Sequence, residues 1–441
     1  MKIALVADHF CVPSRADAYP GDPARRILSL AQALAERDHA VTIYSRKESP
    51  GATDGAGASG GGRGGRRGPR PTIEQIQAGP QERLFGEDLL PHIATFAGRL
   101  ADRWRPSAPD VVHGHFWTSG LAAMTGTRGL GIPVVQTFGS LGGAERRHGL
   151  PETPSDARVR LEACIARTAD AVLASSAEEL ADLARLGVPR AKIKVVPCGV
   201  DTEQFSPDGP VAERGAGVRL LAAEPLTEPD SLAIAVHAVA EIPEAELVIM
   251  GGPEKASLGK DKAYKGLMRL AKTLHVADRL AFTGRISMED LPPLLRSADV
   301  LVSTAPYEPV GLTMLQAMAC GTPVVAPASG AVRDAVVDAT TGLLMPPGVP
   351  HPARLAMLLR RLLANSLRLE AYGIGAADRA KSRYSWERIA RETLTAYAGC
   401  VRRPPAAVKA KSAEPRHALA SEEASEVSSA HRADQAREVR A

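Results

Sequence analysis

Cysteine is scarce in this sequence, and the spacing of its cysteines is typical neither of a CxxC pair nor of a metal site. The 441 residues contain five cysteines, at Cys11, Cys164, Cys198, Cys320 and Cys400. They form no CxxC pair and show no other spacing typical of a metal site. We therefore expect reduced, mostly buried side chains in a cytoplasmic protein.

Aromatic residues and long apolar runs are also lacking. Aromatics make up 4% of the chain, so Leu, Val and Ala must fill the cores. No apolar run reaches membrane-spanning length, and the start, MKIALVADHF, has no long apolar segment after a basic residue. These absences predict a soluble protein without a transmembrane segment, and they leave peripheral contact with a membrane open.

Neither sign of charge dominates. The 54 Lys and Arg against 50 Asp and Glu leave a net charge of +4, and the arginines are scattered along the chain. A nucleic-acid partner would need a concentrated basic surface, so none is expected. No DxD triad is present either, so we expect no metal.

Buried strands alternate with helices from the first residues onward. The apolar run at 2–7 is followed by a helical pattern at 25–37 and by AVTIYS, which together form a β-α-β unit. The alternation continues to KIKVVPCGV at 192–200 and restarts with RLLAA at 219–223. The sequence thus predicts an α/β protein with two doubly wound domains.

The restart gives the predicted domain boundaries. They are an N-terminal domain at 1–205, a linker at 206–217, a C-terminal domain at 218–384 and a helix at 385–400 that crosses back to the first domain. Two further segments lie outside this architecture: 49–71 is Gly-rich, and 401–441 consists largely of Ala, Glu, Ser and Arg without an aromatic residue. We expect both to be disordered, because they cannot bury enough apolar area to offset chain entropy.

Three segments carry a resemblance to a known family. They are KVVPCGVDTEQFSP at 194–207, the long run from EPVGLTMLQAMACG at 308–348, and SWERIARETLTAY at 385–397. In this order they resemble the retaining family 4 glycosyltransferases of GT-B fold. The resemblance implies two Rossmann-like domains facing a central cleft, and transfer of a hexose from a nucleotide-diphosphate sugar, which would be a ligand rather than a cofactor.

The resemblance also implies a donor site. Gly311, Leu312 and Thr313 would lie where a strand end turns into a helix, so that their backbone N–H groups hold a diphosphate. Glu308 matches the family glutamate that contacts the donor sugar. Gln316 stands where a second glutamate holds the ribose, which it can replace only in part. Arg285 is a further donor-binding candidate.

Several family positions are replaced. Glu224 stands where the family has the arginine that neutralises the leaving diphosphate, and Pro229 where it has the lysine. Asp22 takes the place of a phosphate-facing glycine, and Gly139 that of a histidine beside the donor sugar. The expected consequence is weaker stabilisation of the leaving group.

Histidines close to Gly139 in the sequence could compensate for the missing one. His113, His115 and His148 are the candidates, but the favoured interpretation of each is an ordinary strand-end or surface histidine.

These replacements leave two main interpretations. The first is a catalytically silent relative with a binding, accessory or regulatory role, beside an active glycosyltransferase partner or bound to a small molecule. The alternative is an active retaining enzyme that moves a hexose to a small-molecule or lipid-linked acceptor. A donor without a diphosphate would also fit the lost positive charges.

Overall fold

The strands of the chain form two separate parallel sheets, one in each half of the sequence. This is seen in a computed structural model, which describes residues 1–8, 23–48, 69–150 and 153–401. We call the two halves the N-lobe and the C-lobe. Each has its own buried apolar clusters, rich in Leu, Val, Ile and Ala. The prediction of two doubly wound Rossmann-like domains is confirmed.

The N-lobe sheet has the order β3-β2-β1-β4-β5-β6-β7. Its strands are β1 (Lys2–Val6), β2 (Ala40–Arg46), β3 (Thr72–Ile76), β4 (Val111–His115), β5 (Val134–Thr137), β6 (Ala171–Ala174) and β7 (Ile193–Val195). Strands such as β4 are buried along their whole length because helices cover both faces. The order reverses between β1 and β4, and open α/β sheets bind ligands beyond the carboxyl ends at such a point.

The helices of the N-lobe begin and end with ordinary signals. They are α1 (Pro23–Ala35), α2 (Leu90–Trp104), α3 (Trp117–Gly126), α4 (Gly142–Arg147), α5 (Asp156–Thr168) and α6 (Ala177–Arg185), with short 3-10 turns at Gly86–Leu89 and Arg190–Lys192. Ser155 and Ser176, for example, cap α5 and α6 by accepting a backbone hydrogen bond.

The C-lobe repeats the design with the order β10-β9-β8-β11-β12-β13. Its strands are β8 (Val218–Ala222), β9 (Ala245–Ile249), β10 (Leu280–Phe282), β11 (Val300–Val302), β12 (Val324–Pro327) and β13 (Gly342–Met345). Its helices are α7 (Pro229–Ala240), α8 (Lys262–Thr273), α9 (Leu291–Arg296), α10 (Leu312–Ala319), α11 (Gly330–Ala335), α12 (Pro352–Leu363) and α13 (Ser366–Tyr384), with 3-10 turns at Lys255–Lys260 and Ala277–Arg279. The order again reverses, between β8 and β11.

The last described helix, α14 (Trp386–Val401), returns to the N-lobe. It packs on α1, and Ile389, Ala396 and Tyr397 belong to the apolar cluster that also contains residues of β1 and β2. The sheets change between Val195 and Val218, while the predicted domain boundaries themselves stay a prediction.

Some predictions fall on residues outside the described part. Of the two segments expected to be disordered, 49–68 and 402–441 lie outside the described ranges, as does Asp22. Within those ranges, no helix combines the length and apolar character needed to cross a membrane.

Candidate functional site

The N-terminus of α10 lies in the C-lobe at a sharply turned loop. Gly311 precedes the helix in the left-handed region, with φ of 74°, which suits a residue without Cβ. Glu308 lies three residues earlier, and its Oε1 accepts hydrogen bonds from the backbone N–H groups of Val310 (3.0 Å) and Gly311 (2.8 Å). The Glu308 carboxylate therefore occupies the positive end of the helix.

The next N–H groups of α10 remain open to a ligand. No side chain caps the helix, and no described residue accepts a hydrogen bond from the N–H of Leu312 or Thr313. Unpaired N–H groups at a helix start form a ready site for a phosphate. The structure therefore places Gly311, Leu312, Thr313 and Glu308 together, as the resemblance implied, while their roles stay predictions.

Gln316 lies one turn into α10 and faces a small cavity between the lobes. Its side chain is only 4% exposed, and its Oε1 has no hydrogen-bond partner among the described residues. The cavity has a volume of about 80 Å³ and is lined by residues of both lobes and the segment between them. The lining includes Arg25, Arg26, Ser29, Asp201, Leu312 and Gln316.

Arg26 lines the same cavity from the N-lobe, and its guanidinium lies against Gly139. Gly139 follows β5 with φ of 77°, and a Cβ atom there would lie 3.1 Å from Nη2 of Arg26. The guanidinium of Arg26, from the first turn of α1, therefore fills the space beside Gly139. Sequence reasoning did not identify Arg26, although the basic pair at 25–26 in a helix start was a visible signal, because cations are disfavoured there.

Glu224 points into the C-lobe rather than into the open cleft. It is 3% exposed, and its Oε1 accepts hydrogen bonds from the Ser303 hydroxyl (2.7 Å) and from the N–H groups of Thr304 (2.6 Å) and Ala305 (3.0 Å). Burial raises the pKa of this carboxyl group. The carboxyl group of Glu224 is therefore engaged with donors that follow β11 rather than with the open cleft.

Pro229 and Arg285 lie at or near the ends of secondary-structure elements of the C-lobe. Pro229 is the first residue of α7, where proline fits because that position needs no N–H partner. Arg285 follows β10, has a side chain 43% exposed and pairs with Glu254 at 3.0 Å. Glu228, just before Pro229, has a pKa raised to about 7 by burial and by the nearby charges of Glu224 and Glu308.

Two of the three histidine candidates are buried beneath the cleft. His113 hydrogen-bonds the Tyr397 hydroxyl (2.7 Å) and Thr137 Oγ1 (2.8 Å), and burial lowers its pKa to about 3. His115 is buried and packs against His113, with the two rings tilted by 37° and their centroids 4.1 Å apart. These contacts are those of structural residues.

The third histidine, His148, lies at the contact between the lobes. Its ring stacks on Tyr307 of the C-lobe at 4.4 Å, and its Nε2 lies 2.7 Å from Glu178. Glu178 in turn accepts a hydrogen bond from the N–H of Gly330 in the C-lobe (2.7 Å). Tyr307 itself belongs to the apolar cluster of the N-lobe. These residues, which we call the interlobe latch, hold the lobes together.

Comparison with family models gives matches over both lobes. Residues 23–204 match the model described as Glycosyltransferase Family 4, and residues 224–379 match the model Glycosyl transferases group 1. A D-inositol 3-phosphate glycosyltransferase of Streptomyces bingchenggensis is 33% identical over 85% of this chain and 84% of its own. One from Kribbella flavida is 32% identical over 84% of this chain and 89% of its own.

Solved structures have the same two-lobed fold. Sucrose-phosphate synthase from Thermosynechococcus elongatus superposes with a TM-score of 0.76 and 25% identity, covering 90% of this chain and 98% of that one. Anabaena HepE in complex with UDP and glucose gives a TM-score of 0.67 at 17% identity, covering 90% and 99%. The GT-B architecture is thereby confirmed.

Proposed function

The chain belongs to the family 4 glycosyltransferases, and on that premise we propose that it is an active retaining enzyme. It moves a hexose from a nucleotide-diphosphate sugar to a small-molecule acceptor. The curated relatives are named D-inositol 3-phosphate glycosyltransferases, which supports a polyol phosphate as the first acceptor class to test. They also favour this alternative over the silent relative.

The observation that carries the proposal is the start of α10. Glu308 and the open N–H groups of Leu312 and Thr313 lie together at one helix end, beside a cavity shared by both lobes. A helix dipole and unpaired amides stabilise a diphosphate, and they do so most when it departs with its full negative charge. This is the charge that develops in hexosyl transfer.

The transfer balances without a cofactor. The bond between the anomeric carbon and the diphosphate oxygen breaks, the acceptor oxygen forms the new bond on the same face, and the acceptor proton passes to the departing diphosphate. Glu308 would lie near the sugar, and Gln316 would offer its unpaired amide oxygen to the ribose hydroxyls. Glu224 does not oppose this chemistry directly, since three donors hold its carboxylate away from the cleft.

The test is acceptor-dependent product formation by the purified full chain. UDP-, GDP- and ADP-hexoses are each offered with inositol phosphates, and both nucleotide release and product mass are measured. We expect turnover with at least one pair. Glu308→Gln should be about 100-fold slower with little loss of thermal stability, because the amide oxygen can still accept from Val310 and Gly311. If no donor gives product or hydrolysis, the silent relative is the better interpretation.

A further inference from the structure

The first turn of α1 carries two adjacent arginines, Arg25 and Arg26, and no acidic residue. The N-terminal end of a helix is electrically positive, so cations there are disfavoured, typically by ~0.3 to 1 kcal/mol. An arginine in this place needs a compensating contact, either with a protein acceptor or with a ligand. The surroundings of Arg26 decide between these two.

Arg26 has no acceptor within the described part of the chain. No residue there forms a hydrogen bond or an ion pair with its guanidinium, although the side chain is half-buried and touches the surface of Gly139. Arg158, another partly buried arginine, behaves differently, since it is bonded to both Glu145 and Glu162. The buried carboxylate of Glu179 lies within electrostatic range of Arg26, but no described residue accepts a hydrogen bond from its fork of N–H donors.

The charge of Arg26 acts on two buried groups, His113 and Cys198. It reinforces burial in lowering the pKa of His113, to about 3. The thiol of Cys198, whose pKa burial raises to about 11, is acted on by Arg26 in one direction and by Glu308 in the other. Arg26 and Glu308 therefore both lie within electrostatic range of the same buried atom.

The cavity of about 80 Å³ brings Arg26 together with the start of α10. Leu312, with its open N–H, and Gln316, with its unpartnered and buried amide oxygen, line this cavity from the C-lobe, and Arg26 lines it from the N-lobe. Unpaired donors from both lobes, the guanidinium and the helix-start N–H, thus converge on one space. Such donors fit an anion, and a guanidinium in particular fits a phosphate with two parallel hydrogen bonds.

We propose that Arg26 is a donor-binding residue, which contacts the diphosphate of the sugar nucleotide from the N-lobe while the N-terminus of α10 contacts it from the C-lobe. This rests on the proposed function and deepens it. Arg26 supplies a positive charge that positions 224 and 229 do not. Because the diphosphate gains negative charge as its bond to the sugar breaks, the contact strengthens during the reaction.

The test is calorimetric binding of UDP, GDP, ADP, inorganic pyrophosphate and uridine to the full chain and three variants. Arg26→Gln should weaken the binding of UDP and of pyrophosphate by roughly 10- to 100-fold, the usual effect of one charge-assisted contact. Uridine binding should not change, because uridine has no phosphate. Arg26→Lys should fall between, since it keeps the charge and loses the fork. The matched control is Arg37→Gln, which removes an exposed pair with Glu387 just beyond the same helix and should change nothing.

The outcomes separate the two proposals. UDP affinity unchanged in Arg26→Gln, or an equal loss for uridine, overturns the role of Arg26 and leaves the proposed function standing. If the wild type binds UDP in a way that depends on Arg26 but transfers no sugar, the role of Arg26 in binding stands and the proposed transferase activity is wrong. A wild type that binds neither UDP, GDP, ADP nor pyrophosphate contradicts both.

Discussion

Two glutamates between β8 and α7, Glu224 and Glu228, both have pKa values that burial raises. Glu224 is fully enclosed, but three donors stabilise its carboxylate. Glu228 is half-buried with Glu224 and Glu308 nearby, and its pKa is raised to about 7. The folded chain therefore binds a proton at Glu228 more readily than the unfolded chain does. Between pH 4.5 and 7 this group makes stability fall as the pH rises.

Glu228→Gln should remove the loss of stability that ionisation of Glu228 causes as the pH rises. We expect a melting temperature higher than that of the wild type by roughly 1–3 °C at about pH 8, where the wild-type carboxylate is charged, and no difference at about pH 4. Differential scanning calorimetry across this range checks it. The control, Glu203→Gln at an exposed position, should shift neither value. A larger gain at the acidic end than at the alkaline end would reverse the assigned sign.

At the scale of residues, the sequence predicted positions along the chain but not the directions of side chains. The family match placed Glu308, Gly311 and Leu312 correctly at one helix start, because strand-to-helix turns follow from local pattern. The family match also located Glu224 near the end of β8, as the structure shows. It did not predict that the carboxylate turns toward Ser303. That turn depends on β11, which is distant in sequence.

At the scale of elements, Gly330 shows how closely two turns approach. It begins α11 with φ of 53°, and a Cβ there would overlap the carbonyl oxygen of Glu308, which accepts a hydrogen bond from Ala331. Gly330→Ala should destabilise the fold by about 2–4 kcal/mol and slow transfer, because the Glu308 loop must move. Urea unfolding and kinetics measure both.

The matched control for Gly330→Ala lies in α4. Gly143 has ordinary helical angles, and a Cβ added there would meet no neighbouring atom, so Gly143→Ala should be neutral or stabilise by up to about 1 kcal/mol. Equal effects of the two substitutions would mean that the approach of Gly330 to Glu308 does not matter.

The contact of α14 with β4 gives a second prediction at this scale. The Tyr397 hydroxyl is buried against His113 Nδ1 at 2.7 Å, so Tyr397→Phe leaves a buried nitrogen without its partner. We expect a loss of about 1–3 kcal/mol in the free energy of unfolding, measured in urea. Thr395→Ala, on the exposed side of the same helix, should cost less than about 0.5 kcal/mol. Similar costs for both would show that the buried bond is unimportant.

Strands were predictable from the sequence mainly where their apolar residues form a clear continuous run. The buried run at 2–7, which contains β1, was recognised because strands covered on both faces read as continuous apolar segments. Strand β3, TIEQI, was missed, since it is an edge strand with polar residues next to the Gly-rich segment. Strand β13 was missed because it is short and begins with a glycine.

For the whole molecule, the alternation of strands and helices predicted two lobes, but nothing local predicted how they touch. The interlobe latch joins His148 and Glu178 of the N-lobe to Tyr307 and Gly330 of the C-lobe, residues far apart in sequence. Their pairing becomes visible only when both sheets are formed.

Glu178→Ala should loosen the latch. It removes the acceptor of the Gly330 N–H and the partner of His148, so the open arrangement of the lobes becomes more populated. Small-angle scattering should show a larger radius of gyration, with the melting temperature of each lobe little changed. Glu203→Ala, on the exposed surface, is the control. An unchanged radius in Glu178→Ala would mean that the hydrogen bonds of Glu178 do not hold the lobes together.

The return of α14 to the N-lobe has a consequence for how the protein is made. A ribosome releases β1 and α1 first, yet the helix that covers them ends at Val401, after the entire C-lobe. The nascent N-lobe therefore exposes the apolar surface that α14 later covers until synthesis of the C-lobe is complete. Chaperones that hold nascent chains would find their binding surface on α1, and a chain cut short before Trp386 would keep it exposed.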